Sequence, residues 1–271
     1  MYLLCVYSNG ILNKFRVIVI PLAKGGGRVL KIAVISDIHA NLVALEKVLV
    51  SIREYQCDMI VCLGDIVGYG PKPNECIQMV EKAADIVLLG NHDYAAIGLM
   101  NVDSFNTFAS QAIQWTRQQL TPENAKYLQQ LPVEKSWQEC FFVHASPCNP
   151  DFWNYVLSPR EAETEFECFE QQLCFIGHSH YPLVFSYHPK MGVNKESSVK
   201  MVLEKEKRYI INVGSVGQPR DNNPEASWVL YDRDHALLKR LRISYPVEIV
   251  QDQMRDHHLP PFLIERLSHG R

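Results

Sequence analysis

Five short apolar runs, each ending abruptly in Asp, Asn or His, constrain this chain more than any other feature. They are residues 29–36 (VLKIAVIS) before Asp37 and His39, 59–63 (MIVCL) before Gly64-Asp65, and 86–89 (IVLL) before Gly90-Asn91-His92-Asp93. The last two are 140–143 (CFFV) before His144, and 174–176 (CFI) before Gly177-His178-Ser179-His180. Short runs rich in β-branched and aromatic residues, bounded by turn formers, read as buried strands. In an α/β sheet the carboxyl ends of the strands open onto one crevice, where sites are built. The pattern therefore predicts an α/β protein with a polar cluster along one edge.

Between the first three runs the apolar spacing becomes helical. Leu42, Leu45, Val48, Leu49 and Ile52 predict a helix of about four turns, with Asn41 as its N-cap. A turn-rich loop at 67–73 (VGYGPKP) leads to a short helix around 74–83. Strand–helix–strand–helix–strand with right-handed crossovers predicts parallel strands in one sheet. Residues 103–130 are the most helical stretch; Thr121 and Pro122 mark the N-cap and first turn of a second helix there. Both helices are read as packing, the first as one wall of the cleft. Residues 190–207 (KMGVNKESSVKMVLEKEK) predict an exposed loop or hairpin. A strand at 209–213 runs into NVGSVGQPRD, 228–231 and 237–243 form a closing hairpin, and the tail after Pro246 is helical.

With 271 residues, 47% hydrophobic and 21% charged, residues 29–271 are expected to form a single domain. Net charge is −3 without a sustained basic patch, which argues against non-specific nucleic-acid or membrane binding. No apolar run approaches the ~20 residues needed to span a bilayer. The eight cysteines include no CxxC pair, and several lie in apolar runs, so all are expected to be free thiols in a reducing cytoplasm. Residues 1–28 hold two apolar pieces with basic residues at the wrong end for a signal peptide. They are expected to be a poorly ordered extension, with true translation starting near Val29.

A lone His after a strand, or an Asp after Gly, has ordinary loop explanations. Asp37, His39, Asp65, Asn91, His92, His144, His178 and His180 at five strand ends do not. Carboxylate, imidazole and amide oxygen without thiolate suit a borderline-to-hard divalent metal. Asp37, His39, Asp65, Asn91, His144, His178 and His180 are seven such ligands, too many for one ion; they suit two, ~3.5–4 Å apart, clamping a displacement at phosphorus.

The ordered motifs D-x-H, G-D, G-N-H-D, a lone H and G-H-x-H, from Asp37 to His180, resemble those of the calcineurin-like metallophosphoesterases. GDIVGYGP at 64–71 is similar to the small prokaryotic phosphoesterase branch. The resemblance implies a layered β-sheet core flanked by helices, with a dinuclear metal site at the carboxyl ends of the strands. It implies that Asp37, His39 and His180 hold one ion, that Asn91, His144 and His178 hold the other, and that Asp65 bridges them. It implies a metal-bridging hydroxide as nucleophile for in-line attack. His92 is then the residue that protonates the leaving oxygen or stabilises the phosphoryl group, with Asp93 orienting its ring. The ions implied are two divalent metals, Mn2+ first, with Fe, Zn2+, Co2+ and Ni2+ also compatible.

Asn41 fits either helix capping or a contact to substrate phosphate. Arg220 fits either a phosphate contact or an outward ion pair, and Tyr69 either stacks on a base or covers the core. The function implied is a metal-dependent phosphodiesterase or nucleotide-type phosphatase with an open, shallow cleft, acting on a small phosphoester or nucleotide. Dinucleoside polyphosphate hydrolysis and a protein serine/threonine phosphatase-like activity are the alternatives. A catalytically silent scaffold would need a degenerate site, and a DNA nuclease a basic groove. Homo-oligomerisation is left open.

Overall fold

Residues alternate across the strands, so each strand faces two different layers. In β3 (Lys31–Ile35), Ile32 and Val34 face one core while Ala33 and Ile35 face another. The computed structural model describes residues 30–271, and before them only the paired strands Tyr2–Cys5 (β1) and Ile18–Pro21 (β2). The expectation of a disordered extension at 1–28 falls otherwise outside the described residues.

From β3 the chain enters α1 (Leu42–Glu54), β4 (Met59–Cys62), α2 (Pro73–Ala83) and β5 (Ile86–Val87). The strands β3, β4 and β5 are parallel neighbours, as the crossover pattern requires. Asn41 caps α1, its side-chain oxygen accepting from the Ala44 N–H at 3.0 Å. The short α3 (Asn91–Ala96) follows β5, then α4 (Thr107–Gln119) and α5 (Pro122–Leu128), the latter capped by Thr121.

A second sheet is built from the next part of the chain. Its strands are β6 (Glu134–Trp137), β7 (Cys140–Val143), β8 (Leu173–Ile176), β9 (Val184–His188), β10 (Gly192–Glu196) and β12 (Arg208–Asn212). Their order is β10-β9-β12-β8-β7-β6, with β12, β8 and β7 parallel. β11 (Lys200–Val202), β13 (Ala226–Asp232) and β14 (Leu237–Ile243) complete the first sheet, ordered β11-β14-β13-β3-β4-β5. The segment 190–207 is therefore no hairpin of its own. β10 joins one sheet and β11 the other, because each finds a partner strand in β9 or β14 rather than in its neighbour. α7 (Val247–Asp256) and α8 (Pro261–Glu265) form the helical tail.

The two sheets pack face to face through Ile32, Val34, Val61, Phe142, Phe175, Tyr209, Ile211 and Val229. α1, α2, α4 and the tail cover the outer face of the first sheet; α6 (Pro159–Glu165) with Phe166 and Phe169 covers that of the second. The result is a helix–sheet–sheet–helix sandwich. Phe142 is fully buried between the sheets, its ring 5.5 Å from that of Phe175. Phe142→Ala is expected to cost about 3–5 kcal/mol of stability, read from the urea midpoint.

Free buried thiols describe Cys62, Cys76, Cys140 and Cys174, and Cys57 is free and half-buried. Cys148 and Cys168 correct the expectation: they form a disulfide. Neither lies in a strand core; the loop after β7 and the turn after α6 bring them together. The bond closes a short loop, so its reduction is expected to lower stability by about 3 kcal/mol, measurable as a Tm shift with and without reductant.

Candidate metal centre

Each proposed ligand lies one to four residues past a strand end: Asp37 and His39 after β3, Asp65 after β4, Asn91 after β5, His144 after β7, His178 and His180 after β8. The first four come from one sheet and the last three from the other, and all are buried. Five of them, Asp37, His39, Asp65, His178 and His180, have positive φ. Such backbone costs on the order of 1–3 kcal/mol per residue and persists where surroundings over-determine it, often at functional sites. Gly90 is required beside them, since a Cβ there would collide with Oδ1 and the backbone N of Asp65.

The side chains converge in two groups sharing one carboxylate. Asp37, His39, Asp65 and His180 offer ligand atoms within 4.8 Å of one another, as do Asp65, His144 and His178. Asp65 Oδ2 is 3.6 Å from His39 Nε2 and 3.4 Å from His144 Nε2. Asp37 Oδ1 is 3.3 Å from His180 Nε2. Asn91 joins the second group, its Oδ1 3.0 Å from His178 Nδ1.

The far atoms of these residues are held by the backbone. The Nδ1–H groups of His39, His144 and His180 donate to the carbonyls of Val67 (3.1 Å), Leu63 (3.2 Å) and Gln218 (2.6 Å). A carbonyl only accepts, so each bond places the proton on Nδ1 and leaves Nε2, turned inward, as the atom that can offer a lone pair. Asp37 Oδ2 accepts from the His178 N–H, and Asp65 Oδ1 from the His92 N–H, at 3.0 and 2.8 Å. What remains inside is Asp37 Oδ1, Asp65 Oδ2 and His144 Nε2, all buried without a hydrogen-bond partner.

Electrostatics points the same way. Burial pushes His39 well below its ordinary pKa, and takes His178 down to about 3. Burial and the Arg220 charge lower His180. Neutral imidazoles are what metal ligation needs. Burial would raise Asp65, but His144, His92 and His39 together hold it well below the carboxylate range. Burial likewise opposes charge on His144, yet Asp65 and Asp37 raise it to about 9. The carboxylates demand a cation between them.

His39 Nε2 and His180 Nε2 supply the sharpest test of fit. Both are lone-pair atoms by the tautomers above, yet they lie 3.0 Å apart. Two acceptors facing each other at that distance repel, whereas two ligands at right angles on one ion with bonds of about 2.1 Å lie about 3 Å apart. The donor set fits a divalent cation in each group.

Comparison with known proteins agrees with this geometry. Residues 30–235 match the model of the calcineurin-like phosphoesterase superfamily domain. The chain belongs to that superfamily. It is a metallophosphoesterase, of a family that depends on metal. It is 39% identical over 244 residues to the uncharacterized protein MJ0912 of Methanocaldococcus jannaschii, covering 89% of this chain and 98% of that protein. A metallophosphoesterase from Sphaerobacter thermophilus superposes with a TM-score of 0.80 at 39% identity, over 90% of this chain and 100% of the other. The hypothetical protein PH1004 of Pyrococcus horikoshii shares the fold, with a TM-score of 0.73 at 22% identity over 89% and 99% of the two chains.

Within this phosphoesterase site, one expected contact is absent. Asp93 does not orient the His92 ring. Its carboxylate accepts from the N–H groups of Ile66 (3.2 Å), Val67 (3.0 Å) and Gly90 (3.1 Å), because it sits in the first turn of α3 facing the 65–67 loop. Burial, helped by the Asp65 charge, raises it to about 7. His92 Nδ1 is buried and unpartnered, and burial lowers the ring to about 4. Packing orients the ring instead: Tyr69, His39 and Phe105 lie 4.4, 4.8 and 5.1 Å away between centroids. Gly68 lies beneath it, where a Cβ would come 2.6 Å from Nδ1.

Tyr69 is a cover over the site, its ring 4.6 Å from His39, and not over the hydrophobic interior alone. Asn41 donates its amide to the Gly217 carbonyl at 2.9 Å in addition to capping α1, which engages both ends of the side chain. Arg220 makes no ion pair among the described residues; it lies half-buried against Tyr69 and Gln218.

Ser215 and Asn212, within NVGSVGQPRD, carry the ligand loops. Ser215 Oγ donates to the Asp37 carbonyl at 2.7 Å; the Asn212 amide reaches the Gly177 carbonyl and Ser179 Oγ. The Gly-Ser turn after a strand was their signal. Tyr155, stacked 4.3 Å over His178, and Trp153, 6.0 Å from His144, gave none.

Proposed function

We propose that this protein hydrolyses phosphodiesters or nucleotide-type phosphoesters with two divalent cations, of which Mn2+ is our first choice. The observation that carries the reading is Asp65, whose Oδ2 is buried, unpartnered and common to both ligand groups. Asp37, His39, Asp65 and His180 would hold one cation, and Asp65, Asn91, His144 and His178 the other. When bound, the cations neutralise charge on the equatorial oxygens of phosphorus and lower the pKa of water.

The chain's own residues do the rest. The fixed tautomers of His39, His144 and His180 keep lone pairs facing inward, so no reorganisation is needed as charge develops. His92, beside the first group and held by Tyr69 and Phe105, donates a proton to the leaving oxygen or stabilises the transferring group. Asp93 acts as a positioning residue: by tying 66–67 to Gly90 it holds Asp65 and His92 in one frame. Arg220 would meet a substrate oxygen, whereas Asn41 serves the loop. We place the protein in the cytoplasm on the strength of the five free cysteines among the described residues, although the cystine is unusual there.

A silent scaffold is disfavoured because every ligand position is filled and Asp37, His39, Asp65, His144 and His180 each have an outer partner in place. Hydrolysis should be measured with bis-p-nitrophenyl phosphate, p-nitrophenyl phosphate, cyclic nucleotides and diadenosine polyphosphates, after EDTA treatment and after adding Mn2+. Turnover of at least one, lost to EDTA and restored by Mn2+, is the expected result. No turnover of any would favour the scaffold.

A further inference from the structure

Of the four histidines in the candidate metal centre, His178 alone lacks a backbone anchor. His39, His144 and His180 each donate Nδ1–H to a carbonyl, whereas His178 Nδ1 meets Asn91 Oδ1, itself a candidate ligand. What orients the His178 ring from outside is Tyr155, stacked 4.3 Å away at an interplanar angle of 21°. Trp153 stands edge-on to His144 at 6.0 Å and meets Tyr94 at 5.7 Å. One segment, 149–157, thus covers both histidines of the second ligand group.

That segment has few ties of its own. It opens on the 3-10 turn Pro150–Phe152, flanked by Asn149 and Trp153 at φ +52 and +56. Among the described residues, no backbone hydrogen bond joins 149–156 to another segment, and Val156 is its one buried residue. The far end is held by the start of α6, where the Leu157 N–H donates to Glu161 Oε2 at 2.8 Å. The near end is held by Cys148, which is bonded to Cys168 beyond α6 and whose N–H donates to Glu165 Oε2 at 2.7 Å. Opening the disulfide would leave Cys148 tied to α6 by hydrogen bonds alone.

The same bond is open to chemical attack. Cys168 is exposed, on the turn after α6. Burial pushes up the thiols of Cys57, Cys62, Cys76, Cys140 and Cys174, which keeps them un-ionised and unreactive. Sulfur chemistry among the described residues is therefore concentrated in this one pair. In the reducing compartment proposed above, a cystine is typically transient or redox-sensing.

We propose that Cys148 and Cys168 form a thiol–disulfide switch whose opening releases the 149–157 cover and loosens the second ligand group's hold on its cation. A low-molecular-weight thiol supplies the electrons. Its thiolate attacks Cys168 Sγ, the Cys148–Cys168 bond breaks, and the electron pair leaves on Cys148 Sγ, which takes up a proton. A second thiol attacks the sulfur of the first, freeing Cys168 as a thiol and leaving the reductant as its own disulfide. The reverse exchange closes the switch. The effect on the cation rests on the phosphoester-hydrolase reading above; release of the cover does not.

The test compares the full chain in its cystine form with the reduced form, freed of reductant under argon. Mass mapping after alkylation identifies the two forms, and a cystine that a millimolar monothiol buffer never opens would overturn the switch. Chymotrypsin should cut the reduced form at Phe152, Trp153, Tyr155 or Leu157 about tenfold faster or more. Equal rates, or cuts spread evenly through the fold, would overturn the release of the cover. Calorimetric titration with Mn2+ after EDTA treatment should show one of two affinities falling about tenfold or more on reduction, the scale of losing a ligand's outer support. Cys168→Ser should match the reduced form in both measurements and give no response to reductant. Identical Mn2+ titrations of the two forms would overturn the coupling to the cation. Binding of no Mn2+ by either form would sink the parent reading, while the proteolysis still decides whether the bond holds the cover.

Discussion

Asp65→Asn is expected to empty both ligand groups of cation together and to abolish measurable hydrolysis. The substitution is mild for the backbone: position 65 has φ +52, and Asn tolerates the left-handed region as well as Asp does. The amide oxygen can still accept from the His92 N–H where Asp65 Oδ1 does now. What is lost is the charge and the second oxygen, which faces both His39 and His144. Affinity at both positions should fall by more than the ~10–100-fold typical of an outer-partner change, because a direct ligand is being removed. Metal content by mass spectrometry after dialysis reads the result. Full occupancy of both groups in this variant would rule out the shared carboxylate.

His92→Ala should behave in the opposite way, retaining metal and losing turnover by about 10²–10⁴-fold, the usual worth of a placed proton donor. The ring belongs to neither ligand group, and its neighbours Tyr69 and Phe105 are packing contacts. If His92 protonates the leaving oxygen, the loss should be larger for an alkyl leaving group than for p-nitrophenolate, which departs without help. Equal losses on the two would assign the ring to the phosphoryl oxygens instead. Loss of metal in His92→Ala would contradict both roles.

The strand-end pattern made the candidate ligand set legible because it depends on local chemistry: an apolar run, a turn, then a donor. The same reasoning found Asn41 and Thr121 as caps, since capping is decided within three residues. It placed Asp93 wrongly because which backbone a carboxylate meets is settled by the 65–67 loop, distant in sequence. Residues 190–207 are exposed as expected, but they form no hairpin of their own for a related reason. β10 and β11 look like a hairpin in isolation, but strand partners are chosen by tertiary context. The disulfide was hidden because Cys148 and Cys168 have neither a short motif nor a shared element.

The ligands divide between the sheets, four from one and three from the other, with Asp65 reaching across to His144. The cations would then act as rivets through two plates whose facing surfaces are apolar and whose other polar ties, such as Tyr231 and Arg233 to Glu139, lie away from the site. Sliding one plate by a few tenths of an ångström leaves the interior dry and hydrophobic, yet changes the gap that a rivet must fit. Metal affinity thereby becomes a gauge of sheet alignment, responding to substitutions deep between the sheets that never touch a ligand.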